Sequence, residues 1–475
     1  MWEQTRCRTR REMDEGPIKR GRLRLSAHME HVRPFYVMEV MRRANELSAN
    51  GFDVCHLEVG QPSTSAPQPV RDEAARLLRQ NALLGYTSAL GVMELREKIA
   101  AHYAEHFPSQ SGQGVMADNI CITTGSSGGF VLLFSALFQP GDTVGLAAAT
   151  YPCYRNTLKT LGCNVVSIPL DSTFRVTAEA VEQVLSLHNA QNGTTDSSQG
   201  PIRGLILSSP SNPTGAVIDQ GELARIYASC VKYDVFFVCD EIYQGIYYGD
   251  EPEVSAVEHV IEGGQCAVVN SMSKRFSMPG YRLGWMVLPK ELMHIMERLQ
   301  QNLYINPPTL SQVASVRLWD PESTRELEAH TQRYAQNRII VLSALHRMSI
   351  HESSPAHGGF YVYVDLARFG VRAPPSQDNH EDEARAPIGQ NGENGHHVAV
   401  CERKWRLTAS QLCQRVLEET HVAVTPGVDF EDPESKLGEQ RLRISFSRST
   451  QEVKEGMRRF EKWWLDNNFH AECEP

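Results

Sequence analysis

The sequence has no apolar run long enough to cross a bilayer. Its longest, near Phe130 to Phe138, falls far short of the about 20 residues that a spanning helix needs, so no membrane segment is expected. Nor is there a surplus of basic charge: 57 Asp and Glu stand against 47 Lys and Arg, for a formal net charge of -10. A broad phosphate-binding surface for nucleic acid is disfavoured, and small molecules are the expected partners. The eleven cysteines include no CxxC pair and no Cys/His cluster at zinc-ligand spacing. Neither a disulfide framework nor a metal site is signalled, and a reducing compartment such as the cytoplasm fits. No internal repeat is evident. The first 25 residues hold Arg6, Arg8, Arg10 and Arg11, but Glu3, Glu12, Asp14 and Glu15 are mixed in and no apolar signal core follows. Residues 1–25 therefore read as a disordered tail rather than an organelle transit peptide, which is poor in acids.

What is present is a chain of 475 residues, 41% apolar, long enough for two domains. From Asn119 to Pro289 short, β-branched-rich apolar runs recur: ICIT at 120, VGLA at 144, VVSI at 165, GLIL at 204, VFFV at 235, AVV at 267 and LGWMVL at 283. They read as buried strands. Segments with helical spacing, such as Ser126 to Leu137 and Asp219 to Tyr233, lie between them and give the alternation of an α/β domain with a mostly parallel sheet of about seven strands. Asn189 to Pro201 and Ala373 to His397 are polar and read as disordered insertions. The runs GGFYVYVDL at 358 and RLRISFS at 441 predict a second, smaller α+β domain. The expected division is a large domain over 63–310, a small domain over 311–475, and a segment over 26–62 that packs with the small one.

Five strings carry the chemistry. In NSMSKRFSMPGYRLGW, Asn270 to Trp285, Lys274 follows a buried strand. Alone it reads as a surface lysine, but Ser271 and Ser273 add hydroxyls and Arg282 adds a fork suited to phosphate. An amine beside an anion site suits a phosphorylated aldehyde. NPTG, Asn212 to Gly215, is a turn after a strand, which explains its proline and glycine but not its asparagine. VFFVCDEIYQGI puts Asp240 and Tyr243 just past a strand's carboxyl end, where open α/β sheets bind ligands; an aspartate there also reads as a helix N-cap. ITTGSSGGF joins strand to helix through Gly125, Ser126 and Ser127, offering backbone N–H groups at a helix N-terminus. Tyr151, in AATYPCYRN, could stack on a flat cofactor or simply pack.

In this order and spacing the strings resemble the class I and II aminotransferases of the fold type I pyridoxal-phosphate (PLP) family, from about Val32 to Phe460. The resemblance implies that Lys274 is the Schiff-base lysine and the acid/base of the reaction. Asp240 would pair with the pyridinium nitrogen, Asn212 and Tyr243 would bond the ring's phenolic oxygen, and Tyr151 would stack on the ring. Gly125, Ser126, Ser127, Ser271, Ser273 and Arg282 fall at phosphate-site positions. Tyr86 in GYTSALG resembles the tyrosine that reaches the phosphate in the neighbouring subunit, which implies a homodimer with active sites at its interface. Arg443 in LRISFS sits where the family grips the substrate's α-carboxylate, although a surface ion pair is the plainer reading. Gly60 in LEVGQPS lies where a backbone group assists, and Asn302 to Asn306 resembles a segment lining the partner's substrate pocket.

The implied reaction is ping-pong transfer of an amino group from an L-amino acid to a 2-oxo acid. Two features depart from the family pattern. Ala148, Ala149 and Thr150 precede the stacking aromatic where an acid and a proline are usual, and Gly128 and Gly129 replace bulkier residues. The rivals are a lyase of the same fold, either aminocyclopropane-carboxylate-synthase-like or carbon–sulfur cleaving, and a non-catalytic regulatory homologue.

Overall fold

The structure, a computed structural model, describes residues 26–109, 112, 114–189, 200–249, 252–372 and 407–469. The tail read at 1–25, the insertion read at 373–397 and residues 190–199 of the other insertion lie outside the described residues. Twelve strands are present among them: β1 (Cys55–His56), β2 (Ile120–Thr123), β3 (Thr143–Ala147), β4 (Asn164–Ile168), β5 (Ile202–Ser208), β6 (Phe236–Asp240), β7 (Cys266–Ser271), β8 (Gly284–Val287), β9 (Tyr361–Asp365), β10 (Val422–Ala423), β11 (Thr425–Pro426) and β12 (Arg441–Ser445).

The large sheet contains seven strands in the order β2-β8-β7-β6-β5-β3-β4. Only β8 runs against its neighbours, as the seven apolar runs predict for a mostly parallel sheet. The central strands are covered on both faces and so are largely apolar instead of alternating with polar residues, whereas edge strand β4 is mostly half-buried and carries Ser167. Alternate side chains nevertheless enter different cores. Leu205, Leu207, Phe237, Cys239 and Val268 join one cluster, while Ile206, Val238, Ala267 and Val269 join the cluster on the other face. Helices Gly125–Leu137 and Gln220–Lys232 match the predicted ones to within a residue or two; the second is capped by Asp219, whose side chain accepts from Glu222 N at 2.9 Å.

The smaller unit holds the antiparallel sheet β11-β12-β9, with Arg443 opposite Tyr363 and Ser445 opposite Tyr361. Residues near the start of the described chain are bound to it: β1 pairs with β10, and Ser445 N donates to Leu57 O at 2.8 Å. Ala314, Val316 and Leu318 belong to the large sheet's core cluster, so that core continues past residue 310. Helix Pro321–Arg347 links the units. Near its start Glu326 accepts from Gln68 N at 3.0 Å, and further on Val341, Ala344 and Leu345 lie in the small unit's core. Its 27 residues span about 40 Å. Among the described residues, no helix is long and apolar enough to cross a membrane.

Candidate active site

Because β2, β3, β5, β6 and β7 run the same way, their carboxyl ends line one edge of the sheet, the place where open α/β folds bind ligands. Gly125 follows β2, Tyr151 follows β3, Asn212 follows β5, Asp240 ends β6 and Lys274 follows β7. Residues read as separate motifs are thus gathered by topology.

Lys274 Nζ donates to Gly60 O at 2.8 Å and lies 5.9 Å from the centroid of the Tyr243 ring. Burial, then the Arg443 cation, pull its pKa down to about 8, with Asp240 acting the other way and Arg282 adding to the fall. An amine so placed is free to act as a base or nucleophile near neutral pH. Asp240 is 1% exposed. Burial pushes its carboxyl up to about 6, against the hydroxyl of Tyr154, the N–H of Ile242 and the charge of Lys274. No helix follows it. Its Oδ1 accepts from Ile242 N at 3.0 Å within a turn, so the helix-cap alternative does not hold.

Tyr154 O–H donates to Asp240 Oδ2, a contact that the sequence reading missed. The cue was available, since Tyr154 lies three residues beyond Tyr151, one turn along helix Pro152–Thr160. Tyr151 itself meets Tyr154 edge to face at 5.6 Å and Phe35 at 6.2 Å. Tyr243 is buried, and its hydroxyl lies 2.8 Å from that of Tyr361.

The anion end is built from helix Gly125–Leu137 and the lysine segment. Gly125 has φ +70, and a Cβ there would come 2.6 Å from Arg282 Nη2; only glycine lets the guanidinium approach the first helical N–H groups. Arg282, exposed and itself left-handed at φ 51, donates to Pro279 O at 2.9 Å. Ser126 is buried and Ser127 half-buried beside it. Ser271 Oγ lies 2.8 Å from Ser273 Oγ and accepts from Ser273 N at 3.1 Å. Behind them a relay of amides leads inward. Ser271 N donates to Asn270 Oδ1 at 2.7 Å, Asn270 Nδ2 to Gln244 Oε1 at 3.1 Å, and Gln244 Nε2 to Glu241 Oε2 at 2.8 Å.

Arg443 is 4% exposed, which rules out a surface ion pair. Its Nη1 donates to Asn212 Oδ1 at 3.0 Å and its Nη2 to Glu58 O at 2.5 Å. The Tyr361 and Phe430 rings lie 4.4 and 4.6 Å from its guanidinium, while its Nε has no partner among the described residues. No described carboxylate neutralises it, so donors and charge remain for an anion. Tyr86 stands apart from this group. It is 84% exposed and, with Tyr304, Ile305 and Asn306, lines an open cavity of about 560 Å³ that reaches Thr124. The departures at Ala149 and Thr150 are packing features, since Ala149 clusters with Phe430 and Thr150 N donates to Phe430 O at 3.0 Å.

A glycine-lined anion cradle, an amine of lowered pKa and a buried carboxylate match the phosphate, aldehyde and pyridine nitrogen of PLP. Among the described residues no cluster of His, Cys, Asp and Glu is placed to hold a metal ion.

The family model for aminotransferases of class I and II matches residues 53–460. A valine–pyruvate aminotransferase from Mycobacterium tuberculosis is 37% identical over 91% of this chain and 96% of its own length. An aspartate aminotransferase from Pyrococcus horikoshii is 25% identical over 90% of this chain and 93% of its own. Among solved structures, that of an aminotransferase from Mycobacterium tuberculosis superposes with a TM-score of 0.76 at 37% identity, covering 93% of this chain and 99% of that one.

Proposed function

The chain belongs to the class I and II aminotransferase family and is a PLP-dependent transaminase of fold type I, and on that premise we propose that Lys274 carries the cofactor and that Arg443 receives the substrate's α-carboxylate. What supports the reading is the convergence of Lys274, Asp240 and Arg443 at one edge, each buried or half-buried and none neutralised by a close ion pair among the described residues. The bound cofactor supplies an aldehyde that takes the amino group and a pyridinium that accepts electrons from the substrate's α-carbon.

The chain's own residues do the rest. Gly125, Ser126, Ser127, Ser271, Ser273 and Arg282 hold the phosphate, and Asp240, kept ionised near neutral pH by Tyr154 and Ile242, keeps the ring nitrogen protonated. Asn212 and Tyr243 bond the ring oxygen, while Tyr151 covers the ring face. Arg443 orients the substrate so that its α-hydrogen faces Lys274, whose lowered pKa suits it to take that proton and return it one atom away. Gly60 O accepts from the Lys274 amine when that amine is not bonded to the cofactor.

The finer reading is of a donor with a neutral side chain and an acceptor of the pyruvate class. It is supported by the activity named for the Mycobacterium relative and by the absence of any charged side chain among the described residues lining the Tyr86–Tyr304 cavity. A homodimer, with Tyr86 completing the partner's phosphate site, accounts for Leu83 and Tyr86 being 97% and 84% exposed in the single chain. A two-domain division is supported by helix Pro321–Arg347, which meets Gln68 through Glu326 and enters the small unit's core through Val341, Ala344 and Leu345, and a cytoplasmic location accords with the free cysteines among the described residues.

The test is the absorbance of the purified protein as single amino acids are added without acceptor. Valine or alanine should bleach the visible cofactor band faster than aspartate, and Lys274→Ala should lose turnover by on the order of 10⁵-fold or more. Preferential bleaching by aspartate would sink the neutral-donor reading, and an active Lys274→Ala protein would sink the role of Lys274.

A further inference from the structure

Tyr361, on β9, touches both halves of the site. Its hydroxyl lies 2.8 Å from that of Tyr243, and its ring centroid lies 4.4 Å from the Arg443 guanidinium. It is 2% exposed. A Cβ at Gly60 would come within 1.5 Å of its hydroxyl oxygen, so the bare backbone whose carbonyl accepts from Lys274 is also what admits the phenol. A core tyrosine needs a partner for its hydroxyl, but nothing about packing requires that partner to be Tyr243 or the ring to underlie Arg443.

We infer that Tyr361 is a positioning residue that couples the two halves of the site: its ring holds the Arg443 guanidinium for the substrate carboxylate, and its hydroxyl donates to Tyr243, strengthening the bond that Tyr243 makes to the cofactor's ring oxygen. This rests on the roles proposed above for Arg443 and Tyr243. The direction of donation follows from the proton count. Tyr243 has a single hydroxyl proton, which the role proposed above gives to the cofactor's ring oxygen, so in the 2.8 Å pair its oxygen accepts and the proton comes from Tyr361. A hydroxyl that accepts a bond becomes a stronger donor in turn. The other charges near the pair are Lys274, 5.9 Å from the Tyr243 ring centroid, and Asp240. Across the strand pair Tyr361 faces only the neutral Ser445.

Two variants of the cofactor-loaded enzyme separate the functions. Tyr361→Phe keeps the ring and loses the hydroxyl; Tyr361→Leu loses both. The readouts are the pH midpoint of the cofactor's visible band, and the dissociation constant of 2-methylalanine, which lacks the α-hydrogen and binds without transamination. A donor to the ring oxygen withdraws negative charge and lowers the chromophore's proton affinity, so in Tyr361→Phe the midpoint should rise by about half a unit, with 2-methylalanine affinity within about twofold of wild type. Tyr361→Leu should show the same rise and bind 2-methylalanine about tenfold more weakly. An unchanged midpoint in Tyr361→Phe, or wild-type affinity in Tyr361→Leu, overturns the coupling while leaving the transaminase reading intact. A wild-type protein without a cofactor band removes that reading and the coupling with it.

Discussion

The two halves of the site are assembled in different ways. At the edge of the large sheet Gly125, Tyr151, Asn212, Asp240 and Lys274 sit within a few positions of a strand's carboxyl end, parallel pairing brings those ends together, and Arg282 joins them from just before the amino end of the antiparallel β8. On the small unit, Arg443 is held by groups 231 and 385 residues away along the chain, Asn212 and Glu58, and by the rings of Tyr361 and Phe430. The cofactor edge is therefore legible as short strings, whereas the substrate edge depends on how the units meet. Damage to the first should appear in cofactor chemistry, and damage to the second in substrate affinity.

The sharpest way to break that contrast is at Arg443, which belongs to one half but touches Asn212 of the other. Replacing it with glutamine should lower kcat/KM by about 10²- to 10³-fold, because a bidentate charged contact is lost. The bound cofactor's absorbance should stay nearly unchanged. Arg443→Lys should recover only part of the loss, since an ammonium cannot make the fork. A glutamine variant that also sheds cofactor would show that the halves are not separable.

A smaller effect is expected at Tyr154, wholly within the cofactor half. Its hydroxyl holds down the pKa of a carboxyl that burial has pushed up to about 6. Tyr154→Phe removes that donor, so the carboxyl should rise further and activity, which needs it ionised, should begin at higher pH. The acid limb of kcat/KM against pH should move up by about one unit, and an unmoved limb would detach Tyr154 from Asp240.

The smallest effect concerns stability alone. Glu241, at the inner end of the amide relay, is pushed by burial from 4.5 up to about 8, against its bonds from Ala256 N and Ser255. Between those values the folded chain binds a proton that the unfolded chain has released. This contribution is therefore complete below about pH 4.5 and lost as pH rises towards 8. In cofactor-free protein, Glu241→Gln should flatten that part of the decline of Tm with pH, by a few degrees. A parallel curve for the variant would mean that Glu241 is ionised in the fold.

Reading the sequence located all seven strands of the large sheet, because burial writes each as a short, mostly apolar run between turn and helix signals. It located Lys274, Asp240, Asn212, Tyr243 and Arg443 through strings that their chemistry constrains. Tyr154 was within reach, one helical turn from a named residue. Tyr361 and Phe430 were not, since an aromatic in an apolar strand or loop looks the same whether it packs under leucine or under a guanidinium. The large core's continuation through Ala314 to Leu318 was equally hidden, because helical spacing reveals a buried face without saying which core buries it.

The sequence by itself therefore carried the family resemblance, the reaction class that it implies and the positions of the strand ends, because buried apolar runs, turn residues and short motifs are local properties of the chain. Tertiary structure alone decided that Gly60 must lack a side chain so that Tyr361 can reach Tyr243, that the buried Arg443 has an Nε without a partner among the described residues, and that burial and Arg443 pull the Lys274 pKa down to about 8. Those outcomes depend on distances and desolvation between segments far apart in sequence, and only folding sets them.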